Sequence, residues 1–256
     1  MKRYFQLFSV STGEVFRCEL VPDCQCRNLE LSGHKIRLCY SSSEDRLNVA
    51  VTLLSEESLE GVVAEVELVI PEWKLENYLL LPAAVYNGNR AEIRAETYPP
   101  QNAPGVVEER PPLHTSNLPH FNSKGGGVIE QTTGDVSFPG IGFFSPDDGM
   151  SQWILTPCRN HYGNYGYRLE ERPEDGELSV KVMSPVHRQF RQVYCRQIPA
   201  DDRPILWQKG EAIEFELQFS KQSARMIPDL FHHMVELRNR IEPHGTMPPV
   251  LPLSRA

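Results

Sequence analysis

The sequence predicts an all-β fold: two large antiparallel sheets stacked face to face, with one helix near the C-terminus. Three observations carry this. Apolar and polar residues alternate over run after run, as in Glu14-Val15-Phe16-Arg17-Cys18-Glu19-Leu20, which buries one face of a strand and wets the other. Turn residues break these runs at short intervals, the spacing of antiparallel meanders. A single stretch switches to three-and-four spacing, the period of a helix lying on a surface.

The elements follow in order. Tyr4 to Val10 is the first strand and Val15 to Leu20 the second. Lys35 to Ser41, Leu47 to Leu53 and Val62 to Ile70 continue the alternation, and Pro71 ends the last of them. In the second half, Gly127 to Gln131, Phe138 to Phe144, Gln152 to Thr156 and Tyr165 to Glu170 read as strands. Glu177 to Ser184, His187 to Arg196 and Glu211 to Ser220 complete about a dozen. Asp147-Asp148-Gly149 and Pro173-Glu174-Asp175-Gly176 have the composition of hairpin turns. The helix is marked by Met226, Ile227, Leu230, Phe231, Met234, Leu237 and Ile241 on one stripe. Asp229 in its first turn and Arg238 and Arg240 in its last suit the helix dipole, and Pro243 and Gly245 stop it.

These elements divide the chain into a β-domain over 1–222 and a helix with a proline-rich tail over 223–256. The β-domain is interrupted by an aperiodic, proline-studded loop over 98–127. A loop of that length inside a compact domain is usually functional or disordered. The tail Met247-Pro248-Pro249-Val250-Leu251-Pro252-Leu253 is extended and apolar.

Composition bounds the function. The 256 residues carry 26 Lys and Arg against 34 Asp and Glu, a net charge of −8, with 40% hydrophobic residues. That is globular composition, and its acidic balance argues against nucleic acid and against an anionic membrane surface. No run approaches the roughly 18 apolar residues of a membrane helix. Met1-Lys2-Arg3 looks like a basic leader start, but a proper apolar segment and cleavage site do not follow. The chain is therefore expected to be cytoplasmic, or to have lost a leader. Among the six cysteines, Cys24-Gln25-Cys26 is spaced too tightly for a zinc knuckle, and Cys18 and Cys39 sit inside strand patterns. Buried free thiols are the expectation, with no metal and no cofactor.

Three groups of residues are candidates for binding. Tyr86, Asn87, Asn89 and Arg90 combine directional hydrogen-bonding groups with a flat ring, as a sugar site requires, although Asn-Gly is also a strong turn signal. His114 and His120 lie six apart in the long loop, with no metal-ligand partners nearby in sequence. Arg159-Asn160-His161-Tyr162-Gly163-Asn164-Tyr165 is dense in polar and aromatic groups, and Asn160, His161 and Tyr162 are its candidates. Trp153 and Trp207 belong to strands and to the core, whereas Trp73 at a strand end is the better exposed ring. Of His232-His233, one must face outward, and a surface role is expected.

Leu81-Pro82-Ala83-Ala84-Val85-Tyr86-Asn87-Gly88-Asn89-Arg90, followed by Tyr98-Pro99-Pro100, resembles a stretch from the N-terminal domains of bacterial six-hairpin glycosidase-like proteins. Pro228-Asp229-Leu230-Phe231 opening a helix, then a proline-rich exit, is similar to their layout. The resemblance implies a large β-supersandwich, a linker helix, and an (α/α)6 barrel carrying the catalytic carboxylates. No such barrel fits in 256 residues, so the resemblance implies a fragment or detached domain, and no catalytic residue is carried over. Asn160-His161-Tyr162-Gly163-Asn164 also resembles in part the Asn-His-x-Tyr-x-Asn stretch of galactose mutarotases, with Tyr162 one place early. That resemblance implies the same supersandwich fold and a histidine acting on the sugar ring oxygen, but no glutamate stands out as its base.

The expected function is a non-catalytic, carbohydrate-associated domain that shapes a sugar cleft and packs on a helical barrel. That barrel would lie in the same parent chain or in a partner, and the helix's apolar stripe would await it. A small enzyme acting on the anomeric centre would instead bring His161, His114 or His120 within hydrogen-bond reach of a carboxylate. A purely structural module would fill the same face with apolar side chains.

Overall fold

The computed structural model describes residues 1–90, 119–193 and 196–241. His114, most of the long loop and the proline-rich tail lie outside the described residues.

Two antiparallel sheets form the body, as the alternation predicts. The six-stranded sheet has the order Gly127–Thr132, Gly166–Arg172, Glu177–Ser184, Val62–Ile70, Lys2–Ser9, Val15–Glu19. The eight-stranded sheet has the order Cys24–Leu31, His34–Ser42, Arg46–Leu53, Ala212–Ser223, Met150–Leu155, Gly140–Ser145, Tyr78–Leu81, Val85–Tyr86. Their facing sides make one continuous core. Phe5, Leu7, Val66, Leu68, Tyr167, Leu169, Val180 and Val182 come from the first sheet, and Ile36, Leu38, Val49, Val51, Ile213, Phe215 and Leu217 from the second. Each such side chain contributes about 1.5–3 kcal/mol on burial, so the period-two pattern fixes which face of every strand turns inward.

Several readings are corrected. Strand Val62–Ile70 is buried on both faces, not one. Glu65 and Glu67 on its outer side are 5% and 3% exposed. They are covered because the neighbouring strands supply cations: Lys181 reaches Glu65 at 3.0 Å, and Arg17 reaches Glu67 at 2.7 Å. Burial alone would raise the Glu67 carboxyl, but Ser179, Arg17 and Lys181 outweigh it and hold the group below the usual range. The expected strand His187 to Arg196 is a hairpin, Phe190–Val193 with Arg196–Pro199. Cys26 and Cys39 are joined in a disulfide, Cys24 and Cys158 are exposed thiols and Cys18 is only half-buried, so none of the five described cysteines is the fully buried free thiol expected.

The helix Ile227–Ile241 packs across the outer face of the eight-stranded sheet. Asp229 starts it by accepting the Arg225 and Met226 amides at 2.7 and 3.1 Å. Leu230 and Leu237 are buried with Leu80, Phe144, Trp153 and Leu155, and Phe231 and Met234 pack alongside. The stripe expected to await an absent partner is thus largely seated on the chain's own sheet, while Met226, Ile227, Val235 and Ile241 stay exposed. Of the two histidines, one of them expected to face outward, His233 is the buried one. It sits at 2.8 Å from both Ser151 Oγ and Ser220 Oγ, so the pair is split, with only His232 outside. Among the described residues no helix is long and apolar enough to cross a membrane.

The helix covers one half of that outer face. Strand Ala212–Ser223 runs beneath it at Ser220 and emerges into an uncovered half at Glu214 and Glu216.

Candidate functional site

The uncovered half of the outer face is an open cleft of about 570 Å³. Its floor comes from neighbouring strands in register. Glu214 lies opposite Ala50, Ala50 opposite Cys39, and Cys39 opposite Cys26. One row along, Glu216 lies opposite Asn48, Asn48 opposite Ser41, and Ser41 opposite Cys24. These residues point outward because Ile213, Phe215 and Leu217, which alternate with the glutamates, point into the core. Glu214 and Glu216 are exposed.

The short hairpin Arg159–Asn160 with Gly163–Asn164 forms one wall, and Arg159, Asn160 and His161 line the cleft. The hairpin is held by its own polar groups. Asn160 Oδ1 accepts the Tyr162 amide at 2.9 Å, and its Nδ2 donates to Ser184 Oγ at 2.7 Å. Asn160 is thus a positioning residue as much as a lining one. Tyr162 OH donates to Glu211 Oε2 at 3.0 Å, and its ring meets that of His161 edge to face at 5.0 Å. Burial, and then the bond to Glu211, raise the Tyr162 phenol well above its ordinary value. Glu211 is held below the usual range, first by the Gln208 amide at 3.0 Å and then by Tyr162. His161 projects into solvent with a side chain 75% exposed, and its Nε2 stands 4.0 Å from Glu211 Oε1. Tyr165 is buried behind the wall and donates to the Glu214 carbonyl at 2.8 Å. Burial pushes its phenol up to about 12, with Glu214 and Glu216 adding to the shift against Asn160.

The sequence candidates therefore separate. Asn160 and His161 line this cleft, whereas Tyr162 packs against the core and turns its hydroxyl to Glu211. Tyr86, Asn87, Asn89 and Arg90 lie at the opposite edge of the same sheet, beyond strand Val85–Tyr86. There the polar groups of Asn89 and the terminal nitrogens of Arg90 are already used. Asn89 Oδ1 accepts the Tyr86 amide at 3.0 Å, and its Nδ2 donates to the carbonyls of Ala84 and Pro119. Arg90 is paired with Glu171, whose side chain is 3% exposed. Glu171 also accepts Trp73 Nε1 at 2.6 Å and the Gly126 amide at 2.9 Å. Trp73 is thereby half-buried against Phe143, and not the free ring expected. Only Tyr86 and Asn87 of this group are exposed. His120 is half-buried beside Phe121, where the chain enters strand Gly127–Thr132.

Glu214 and Glu216 were missed as site residues. The alternation of their strand was legible, but which part of its polar face the helix would cover was not. Among the described residues no group of three or more His, Cys, Asp or Glu is placed to hold a metal ion.

No protein-family model matches the chain, and no curated protein does. Solved structures do. A provisionally assigned aldose 1-epimerase from Escherichia coli matches at 14% identity and a TM-score of 0.43, over 83% of this chain and 77% of that one. A protein from Synechocystis matches at 9% identity and 0.44, over 83% and 72%. A galactose mutarotase-like protein from Lactobacillus casei matches at 10% identity and 0.44, over 84% and 80%. At these values the likeness does not extend to chemistry, which is read below from the side chains of this cleft.

Proposed function

We propose that this chain is a carbohydrate-binding β-sandwich domain that holds a sugar over Glu214 and Glu216 without transforming it. One observation carries the reading: a single strand sends Ile213, Phe215 and Leu217 into the core and two exposed carboxylates into an open cleft. Around them stand Ser41 and Asn48 on the sheet and Arg159, Asn160 and His161 on the adjoining hairpin, a mixed set of donors and acceptors. Such groups match the hydroxyls of a sugar, and the volume falls within the roughly 300–1,000 Å³ of small-molecule sites. A structural module would have filled this face with apolar side chains. Proton exchange at an anomeric carbon needs His161 and a carboxylate within about 2.6–3.2 Å of their targets. The nearby Glu211 is instead engaged by Gln208 and Tyr162.

The resemblance to glycosidase N-terminal domains adds a partner to this proposal: a helical (α/α)6 domain, in the parent chain or another, that closes the cleft. A second reading, interconversion of sugar anomers, is favoured only by the position of His161 on the wall above the glutamates.

Amide chemical-shift mapping tests the proposal, with glucose, galactose, xylose and N-acetylglucosamine as probes. Shifts should cluster at Asn48, Ala50, Asn160, His161, Glu214 and Glu216. No shift with any of them, or shifts confined to Tyr86 to Asn89, would overturn it. Anomer exchange followed in the same tubes should run at the rate of buffer alone, and acceleration abolished by His161→Ala would establish the second reading.

A further inference from the structure

We propose that the Cys26–Cys39 disulfide is a thiol-modification site on the floor of the cleft, opened by a low-molecular-weight thiol of the glutathione class that stays attached at Cys26. The bond joins register partners on adjacent strands, with Cα atoms 4.1 Å apart. The fold does not need it. Its two strands already pair at eight register positions, from Cys24↔Ser41 to Leu31↔His34. They are closed by Ser32-Gly33, with φ of 51° and 78°. A link across a separation of 13 residues inside such a hairpin acts on the unfolded chain more than on the folded one. It also lies where a reagent can reach it. Strand Cys24–Leu31 is the edge of its sheet. Cys26 is exposed and Cys39 half-buried, and a third sulfur, the exposed Cys24, lines the same cleft.

Access fixes the direction of exchange. The small thiolate attacks the exposed Cys26 Sγ. A new sulfur–sulfur bond forms there, the Cys26–Cys39 bond breaks, and its electron pair leaves on Cys39, which takes a proton from water. One disulfide replaces another, so no oxidant is consumed. The adduct then lies along the row Cys26, Cys39, Ala50, Glu214, three strand spacings or about 14 Å from end to end. Attached through its central cysteine, a tripeptide of about 10 Å sends one arm of about 5 Å over Cys39 toward Ala50 and narrows the cleft on the side of Glu214. This last consequence rests on the sugar-binding reading; the exchange itself does not.

The test uses the protein purified without reductant and incubated with reduced glutathione under argon, then acid-quenched, alkylated and mapped by mass spectrometry. Without an oxidant, free thiols such as Cys24 and Cys158 cannot take up reduced glutathione, so an adduct reports a disulfide sulfur. One adduct per chain at Cys26, with Cys39 alkylated, is the expected result. It should persist in Cys24→Ser, which removes onward exchange. Free thiols at both Cys26 and Cys39 before treatment, an adduct at Cys39, or opening only in denaturant would overturn the proposal. Loss of sugar-induced shifts at Ala50 and Glu214 in the adduct would support control of the cleft, and unchanged shifts would overturn that part. Were no sugar to bind the untreated protein, the mass map would still decide the exchange.

Discussion

Glu171→Ala and Arg90→Ala distinguish a structural Arg90 from a sugar-binding one. The Glu171 carboxylate is 3% exposed and the Arg90 side chain 10%. Arg90 donates through both terminal nitrogens, one of them to Glu171 Oε2 at 3.0 Å. Trp73 Nε1 and the Gly126 amide complete the set at 2.6 and 2.9 Å. One carboxylate thus ties strand Gly166–Arg172 to three loops. Removing one partner of a buried pair costs about 3–5 kcal/mol, because the other charge stays behind. The orphaned Trp73 and Gly126 donors would add about 1–3 kcal/mol each if water could not reach them, but the space left by the deleted side chain lets it in. We therefore expect about 4 kcal/mol for Glu171→Ala, a large share of a total of about 5–15. For a chain of this size that corresponds to a melting point lower by roughly 8–16 °C. Arg90→Ala should fall in the same range of about 3–5 kcal/mol, leaving sugar binding at the cleft intact. Urea unfolding followed by tryptophan fluorescence measures both, and the double variant should cost less than the sum. An Arg90→Ala protein that lost sugar binding with under about 1 kcal/mol of destabilisation would refute the structural assignment.

Other expectations concern the helix and its sheet. His233 is held below its ordinary value by burial first, with Arg240 adding and Glu236 opposing. The unfolded chain therefore takes up a proton below about pH 6.5 that the folded chain refuses, so stability falls on acidification until the folded pKa is passed. The melting point should drop between about pH 7.5 and 5.5 (about one unit either side of that value) more steeply than in His233→Gln, and an equal or opposite slope would contradict this. A Cβ on Gly142 would stand 2.6 Å from the Trp153 ring, so Gly142→Ala should cost about 1–3 kcal/mol and loosen the helix, seen as faster amide exchange at Leu230 and Leu237. Leu230→Ala empties a fully buried position beneath the helix and should cost about 2–5 kcal/mol in the same urea assay.

The β-framework was legible because burial on one face writes a period of two. Val62–Ile70 and Glu177–Ser184 appear with the bounds their alternation implied. Strand Cys24–Leu31 was not legible: as an exposed edge strand it buries little besides Leu31, so Cys24-Gln25-Cys26-Arg27 carries no apolar rhythm. The doubly buried face of Val62–Ile70 was hidden because Glu65 and Glu67 look like solvent residues until Lys181 and Arg17 are brought beside them. The candidate site divided for a similar reason. Asn160-His161-Tyr162 and Tyr86 to Arg90 have equally suggestive composition. What separates them is long-range: Glu171, 81 residues from Arg90, consumes one group, while the uncovered sheet face exposes the other.

Calorimetric titration of the intact protein and of the Glu214→Ala/Glu216→Ala variant, with whichever sugar gives the largest shifts, measures the cleft's role directly. Both replacements lie on the solvent face and should leave the unfolding midpoint in place. The account predicts saturable binding that weakens at least tenfold in the variant, and binding of equal strength in both proteins would contradict it.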